Sequence, residues 1–282
     1  MTVTKFGNAI ADILTPQVLV AEKDFLIVYK PPRMHSAPEA RSAGEETILD
    51  WCVAMFPEVA ALPGRRVGEG GLLHRLDYET QGLMLIARSL PGMEALLERQ
   101  REGKILKEYS ALAAKSETTL PGFPKETPGF TKETPVWPLE GKDGTPLKIE
   151  SAFRPYGPGR KAVRPVLPGG DKALYSTEIL ESSPVSEAGF TQCFSLRLRI
   201  CRGFRHQIRS HLAWMGLPLL NDSLYGGLSF GKGLLALRAA SIAFNDPSSG
   251  EERKYSIPAL HPSFNQSPAN LSGKLISRSP DC

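Results

Sequence analysis

Residues Gly71 to Ala87 read GLLHRLDYETQGLMLIA. A charged tetrad, His74-Arg75-Leu76-Asp77, stands between Leu72-Leu73 and the apolar segment Leu83 to Ile86. The run Leu83-Met84-Leu85-Ile86-Ala87 is short, continuously apolar and opened by Gly82, which predicts a buried strand. An imidazole, a guanidinium and a carboxylate at the mouth of such a strand are costly to desolvate unless paired. These residues alone leave two readings open. One is a surface turn in which Asp77 caps local backbone and Arg75 is solvated; the other is a polar site built at the strand's mouth.

Upstream, Phe25-Leu26-Ile27-Val28-Tyr29 is a β-rich run closed by Lys30-Pro31-Pro32, so a strand ends where the prolines begin. Thr47 to Phe56 sets Ile48, Trp51, Cys52 and Met55 at helical spacing, and Pro57 stops it. The glycine-rich stretch Gly64 to Gly71 then delivers the chain to the tetrad. Downstream, Ser89 is a good N-cap with Pro91 in the first turn. Met93, Leu96, Leu97 and Gln100 share one helical face, and Gly103 ends the element. In KILKEYSALAA, Ile105, Lys107, Tyr109 and Ala111 alternate with Leu106, Glu108, Ser110 and Leu112. That is a strand with Lys107 and Tyr109 on one face.

Between about residues 115 and 147 the pattern dissolves into a Pro/Gly-rich insertion, in which PGFPKET (Pro121 to Thr127) is followed directly by PGFTKET (Pro128 to Thr134). Two such copies cannot build a solenoid, so an inserted surface loop is expected. RPYGPGRKAVR, Arg154 to Arg164, carries four basic residues, one tyrosine and no acid. It suits phosphate contacts through residues such as Arg154 and Arg160, or it is a solvated basic turn. Ala173 to Leu180 is strand-like. FSLRLRI, Phe194 to Ile200, alternates apolar residues with Ser195, Arg197 and Arg199, as in a strand packed on one side. In the following helix Ile208, Leu212 and Met215 form the apolar stripe and Gly216 the C-cap, with Arg205, His206 and Arg209 on the other side near its start. From Leu196 to Leu212 there are five arginines, two histidines and no acidic residue, which marks this stretch as the candidate polyanion site. Short strands are expected near Leu235, Ile242 and Tyr255.

With 282 residues the chain can bury a large core, and 41% hydrophobic with 23% charged residues is ordinary for a globular protein. A net charge of +4 and a pI near 8.8 permit a nucleic-acid partner without requiring one. The four cysteines have no CxxC pair and no metal-ligand spacing, which points to reduced thiols. No stretch is long and apolar enough to cross a bilayer, so a cytoplasmic protein is the default expectation.

Four stretches, KPPRMHSAP, HRLDYETQGLMLIAR, KEYSALAA and RHQIRSHLAWMGLPLLNDSLYGG, together resemble the RluA-type family of pseudouridine synthases. The family motif H-R-L-D-x-x-T-S-G-L is present with Gln81 in place of the serine. The helical motif G-R-T-H-Q-I-R-V-H is represented by Gly203 to His211, with Phe204 and Arg205 replacing arginine and threonine. Arg238 stands where the family often has histidine, and Asn221 where it has glycine. The resemblance implies an α+β fold: a mostly antiparallel, mixed β-sheet core with flanking helices and a central RNA-binding cleft. Residues 1–20 would be a lead-in, 21–262 the catalytic domain and 263–282 a flexible tail. The implied activity is isomerisation of uridine in structured RNA, ribosomal RNA being favoured and tRNA the other class, by a monomer without cofactor or metal.

By the same resemblance Asp77 is the catalytic aspartate, Arg209 its ion-pair partner and Tyr109 the aromatic against the target base. The residues suit that chemistry. An ionised carboxylate must attack covalently or stabilise an intermediate, and a nearby guanidinium opposes the protonation that burial favours. Arg75 is a candidate wedge for the space left by an extruded base, and Lys107 shares a face with Tyr109. Arg205, His206 and Gln207 are candidate substrate contacts; His206 and Gln207, with His211, can equally cap and hold the helix. His74 receives no chemical role. Two other functions compete: an RNA-binding module without catalysis, and a glycosidase or nucleoside hydrolase using Asp77 and Glu79 as a carboxylate pair.

Overall fold

The buried strand forms as the apolar run demands. In the computed structural model, which describes residues 1–6, 14–39, 44–64, 66–116, 120–124, 145–167, 169, 173–185, 192–231 and 233–261, Gln81–Ala87 is a strand with all seven residues buried. In chain order the strands are β1 (Thr2–Lys5), β2 (Gln17–Ala21), β3 (Phe25–Lys30), β4 (Gln81–Ala87), β5 (Leu106–Ala114), β6 (Leu147–Tyr156), β7 (Ala162–Val166), β8 (Tyr175–Val185), β9 (Cys193–Ile200), β10 (Leu237–Asn245) and β11 (Glu252–Ser256). The helices are α1 (Ile48–Met55), α2 (Leu90–Arg101) and α3 (Gln207–Trp214). The sheet runs β2-β3-β4-β10-β5-β9-β8-β6-β7, with β11 on β10 and β1 on β11. Pairing is antiparallel except for β4–β10 and β1–β11, so the sheet is mixed and mostly antiparallel.

Side-chain alternation splits the core into two layers. Leu26, Val28, Met84, Ile86, Tyr109 and Ala111 face the side where α1 and α3 pack. Phe25, Ile27, Tyr29, Leu83 and Leu85 face the side covered by Leu96 of α2 and by β11. Local chemistry fixes the helix starts: Thr47 and Asp50 form a capping box on α1, and Ser89 Oγ accepts from Gly92 N at 3.1 Å on α2.

Three expectations change. Residues 1–20 are more than a lead-in, because β1 pairs in parallel with β11, and β2 is the antiparallel neighbour of β3. The insertion is anchored at its start, where the Phe123 ring lies 5.7 Å from Tyr156 and 6.5 Å from Tyr225. Beyond Pro124 both PGFxKET copies lie outside the described residues until 145, as does the tail from 262. The arginines of β9 are not free for a polyanion: Arg199 Nε donates to Glu178 at 2.7 Å, and Arg197 pairs with Glu181 and Glu108. Those glutamates come from the neighbouring strands β8 and β5, and sheet register brings them opposite.

Strands β4 and β10 meet through only two pairs, Gln81 with Arg238 and Gly82 with Ala239. Gly82 has φ 127°, and a Cβ there would lie 2.3 Å from Ala239 O and 2.6 Å from Ala239 N. Only glycine allows this approach. Gly82→Ala is therefore expected to cost at least ~2 kcal/mol of stability, read as a lowered urea midpoint at unchanged m-value.

Candidate active site

The tetrad ends in a tight turn, with Thr80 N donating to Asp77 O at 3.0 Å. The loop after β3 clamps that turn on both flanks of Asp77. Ser36 Oγ donates to Leu76 O at 2.8 Å and accepts from Leu76 N at 3.0 Å. Met34 N donates to Tyr78 O at 3.2 Å. Lys30 Nζ donates to Pro31 O, Met34 O and Tyr78 O at 2.8, 2.7 and 3.3 Å. Register explains the placement: Lys30 pairs with Gly82, directly after the turn. Three carbonyls match the three donors of an ammonium. Burial pushes the Lys30 amine down to about 7 against the opposing pull of Asp77 and Glu79. His74 has a structural task, its Nε2 accepting from Leu85 N at 3.1 Å.

Helix α3 supplies the other half. Its N-cap, His206, sits at φ 54° in the left-handed region. Arg209, only 3% exposed, donates from Nε and Nη2 to Asp222 Oδ2 and Oδ1 at 2.8 Å each. Its remaining nitrogen, Nη1, lies 3.3 Å from Glu79 Oε2 and 3.8 Å from Asp77 Oδ2. Burial works against the Arg209 charge, but Asp222, then Asp77 and Glu79, outweigh it and raise the pKa further. Arg209 is thus held mainly by Asp222, with Asp77 as a second, longer contact. The Asp222 carboxylate, fully buried, is the site residue the sequence reading missed. A carboxylate among Leu219, Leu220 and Tyr225 was the available signal.

Asp77 keeps 22% of its side-chain surface exposed and stands 4.0 Å from His206 Nε2. Burial raises its pKa, and Arg209, the His206 backbone N–H, Lys30 and Arg205 pull it back only in part. Tyr109, buried on β5, has its pKa raised by burial and by the Asp77 charge, so its phenol keeps its proton at neutral pH. What it presents towards the Asp77 charge is a neutral phenol, not a phenolate. Burial, then Arg209 and Arg205, push the His206 imidazole down to about 3, so it is neutral.

The other sequence candidates divide. Arg75 is taken up by Glu39 and Glu69 rather than by Asp77. Lys107 is buried on β5, on the face that Tyr109 shares. Gln207 spends its amide internally, donating to Ser176 O at 2.9 Å and Thr177 Oγ1 at 3.2 Å and accepting from Phe204 N at 3.0 Å. Arg154 and Arg160 are exposed on the β6–β7 hairpin. Arg205 straps that hairpin to α3 by donating to Arg160 O at 2.8 Å and Ala162 O at 3.2 Å. Among the described residues, none of these three arginines has a carboxylate within 4.0 Å. The two departures Gln81 and Arg238 meet each other: Gln81 Oε1 accepts from Arg238 Nη2 at 3.0 Å and from Tyr29 OH at 2.9 Å. Among the described residues no cluster of three or more His, Cys, Asp or Glu could hold a metal ion. No described helix is long and apolar enough to cross a membrane.

A family model described as RNA pseudouridylate synthase matches residues 24–214. Curated relatives named ribosomal large subunit pseudouridine synthase D include one from Vibrio parahaemolyticus, 26% identical over 86% of this chain and 67% of its own length. Another, from Pasteurella multocida, is 30% identical over 74% of this chain and 52% of its own length. The chain thus spans from about half to two thirds of the relatives it matches. Among solved structures, human RNA pseudouridylate synthase domain containing 1 aligns with a TM-score of 0.56 at 19% identity, covering 95% of this chain and 97% of that one. Human RNA pseudouridylate synthase domain containing 4 gives 0.54 at 18%, covering 90% and 93%.

The two acidic partners of Arg209 should differ sharply on removal. Asp222→Ala strands a buried guanidinium and is expected to cost ~3–5 kcal/mol. Glu79, 47% exposed, should cost no more than ~1 kcal/mol as Glu79→Ala. Chemical denaturation of both variants beside wild type measures the contrast.

Proposed function

The chain belongs to the RNA pseudouridylate synthase family, RluA type, and from that premise we propose that Asp77 is the carboxylate through which it isomerises uridine. The reaction breaks the N1–C1′ glycosidic bond, turns the detached uracil and joins C5 to C1′, with the C5 hydrogen leaving to solvent as a proton and N1 taking up a proton in its place. The observation that carries the reading is the Arg209 guanidinium, clamped by Asp222 and presenting Nη1 3.8 Å from Asp77 in its turn.

The clamp gives Arg209 a fixed orientation, so its charge opposes protonation of Asp77 without reorganising as the reaction proceeds. Lys30, when protonated, adds a second positive charge and, through the Tyr78 carbonyl, holds the turn. Tyr109 supports the uracil ring on its face and keeps its proton. Arg154, Arg160 and Arg205, which lack carboxylate partners among the described residues, are among the cations free to meet phosphates. A uridine in folded RNA reaches Asp77 only after extrusion, at a cost of a few kcal/mol. We take the substrate to be large-subunit ribosomal RNA, because the curated relatives carry that substrate in their names.

Tritium release from C5-labelled uridine in unmodified ribosomal RNA and tRNA tests the assignment. Wild type should release tritium and retain the base in the RNA, and Asp77→Asn should lower the rate by at least about a thousandfold. Release of free uracil would favour hydrolysis by an Asp77–Glu79 pair, and no release by wild type would end the isomerase reading.

The raised Asp77 pKa adds a pH dependence. The carboxylate must be ionised to act, and its folded-state pKa lies above the ordinary value of 3.8. As pH falls, kcat/KM should therefore decline at a higher pH than a free aspartate would dictate. A pH–rate profile of the tritium assay locates that acid limb.

A further inference from the structure

We propose that the rings of Tyr78 and His35 form a stacking platform for an unpaired nucleobase beside the uridine presented to Asp77. This rests on the RNA-isomerase reading above. Tyr78 follows Asp77 directly and occupies the corner of the Asp77–Thr80 turn. Its carbonyl is fixed from two sides, by Lys30 Nζ at 3.3 Å and by Met34 N at 3.2 Å. Its ring, however, is not buried: Tyr78 is 38% exposed, and its hydroxyl makes no hydrogen bond among the described residues. The ring leans on His35, with centroids 4.7 Å apart at 41°. His35 is only 21% exposed in its side chain, and Glu45 lies 3.7 Å from its Nε2. The fold thus fixes the backbone that carries a partly exposed aromatic ring, one residue after Asp77, without using that ring in the core.

Extruding a uridine leaves the bases beside it short of a stacking partner. A phenol backed by an imidazole replaces that partner without regard to base identity, since every base has a π-face. Arg75, two residues before Asp77, is less free to do so because Glu39 and Glu69 hold its guanidinium. Arg33 lies on the same loop as His35, exposed at φ 59° and without a carboxylate within 4.0 Å among the described residues, and offers a cation to the adjoining phosphate.

The test uses the full chain and C5-tritiated, unmodified ribosomal RNA transcript. Tyr78→Ala should raise KM about tenfold while kcat changes far less, and Tyr78→Phe and Tyr78→Trp should stay near wild type. His35→Ala should fall between them. Once the converted uridine is located, an abasic nucleotide next to it should weaken wild-type binding and add nothing further in Tyr78→Ala, a readout that a merely structural tyrosine would not move. Unchanged KM in Tyr78→Ala, with wild type active, overturns the platform alone. So does a Tyr78→Phe variant as weak as Tyr78→Ala, because the hydroxyl and not the ring would then be at work. An inactive wild type removes the isomerase reading and the platform with it.

Discussion

A guanidinium left with 3% exposure is costly unless its donors are met, and at Arg209 Asp222 supplies both oxygens at 2.8 Å. Pairs of this kind gain little net stability, because desolvating two charges offsets most of their attraction. Their use is geometric. The fork of Arg209 is locked into one orientation by Asp222, and that orientation decides which nitrogen is left over. The remaining Nη1 points its charge at Asp77 and Glu79, in a turn some 130 residues earlier in the sequence. The site is therefore assembled from α3, the loop after it and the turn before β4. No one segment contains it.

The turn needs a clamp of equal rigidity, and the end of β3 provides one. Prolines at 31 and 32 cannot continue a ladder, so the chain leaves the sheet there and loops over the turn. The last strand residue, Lys30, then finds carbonyls of both its own loop and Tyr78. A buried amine so placed does two things at once: it pins backbone and, when protonated, contributes positive potential to Asp77. These two cations oppose the burial that raises the Asp77 pKa without cancelling it.

What the sequence revealed follows from the range of each interaction. Strands β3, β4 and β9 and helices α1 and α2 rest on local periodicity, capping and breakers, and were legible residue by residue. The resemblance to a known family located Asp77, Tyr109 and Arg209, and the structure brings Asp77 and Arg209 within 3.8 Å. Strand β1 was illegible because four residues, Thr2–Lys5, carry no pattern of their own and become a strand only beside β11. Asp222 became a site residue only through the fold, because the buried arginine that needs it lies thirteen residues earlier, on α3. The exchanges at Gln81 and Arg238, read singly, looked like independent departures from the family pattern. Cross-strand register makes them one feature, a hydrogen-bonded pair at the narrow join of β4 and β10.

Register also corrects the reading of charge. Arginine density peaks along β9 and the following loop, yet the β9 arginines face glutamates on β8 and β5 and are neutralised in place. A polyanion gains little from a cation that already has a counter-ion, because displacing that carboxylate returns a desolvation cost with each phosphate bound. What counts is positive charge lacking an acid across the strand or turn. By that criterion the proposed surface for phosphate includes the β6–β7 hairpin and the start of α3, where Arg154, Arg160 and Arg205 have no such partner among the described residues. Arg205 joins the two, since its guanidinium holds the hairpin carbonyls of Arg160 and Ala162 while its charge also acts on Asp77. Hairpin and Asp77 are thus linked through that one side chain.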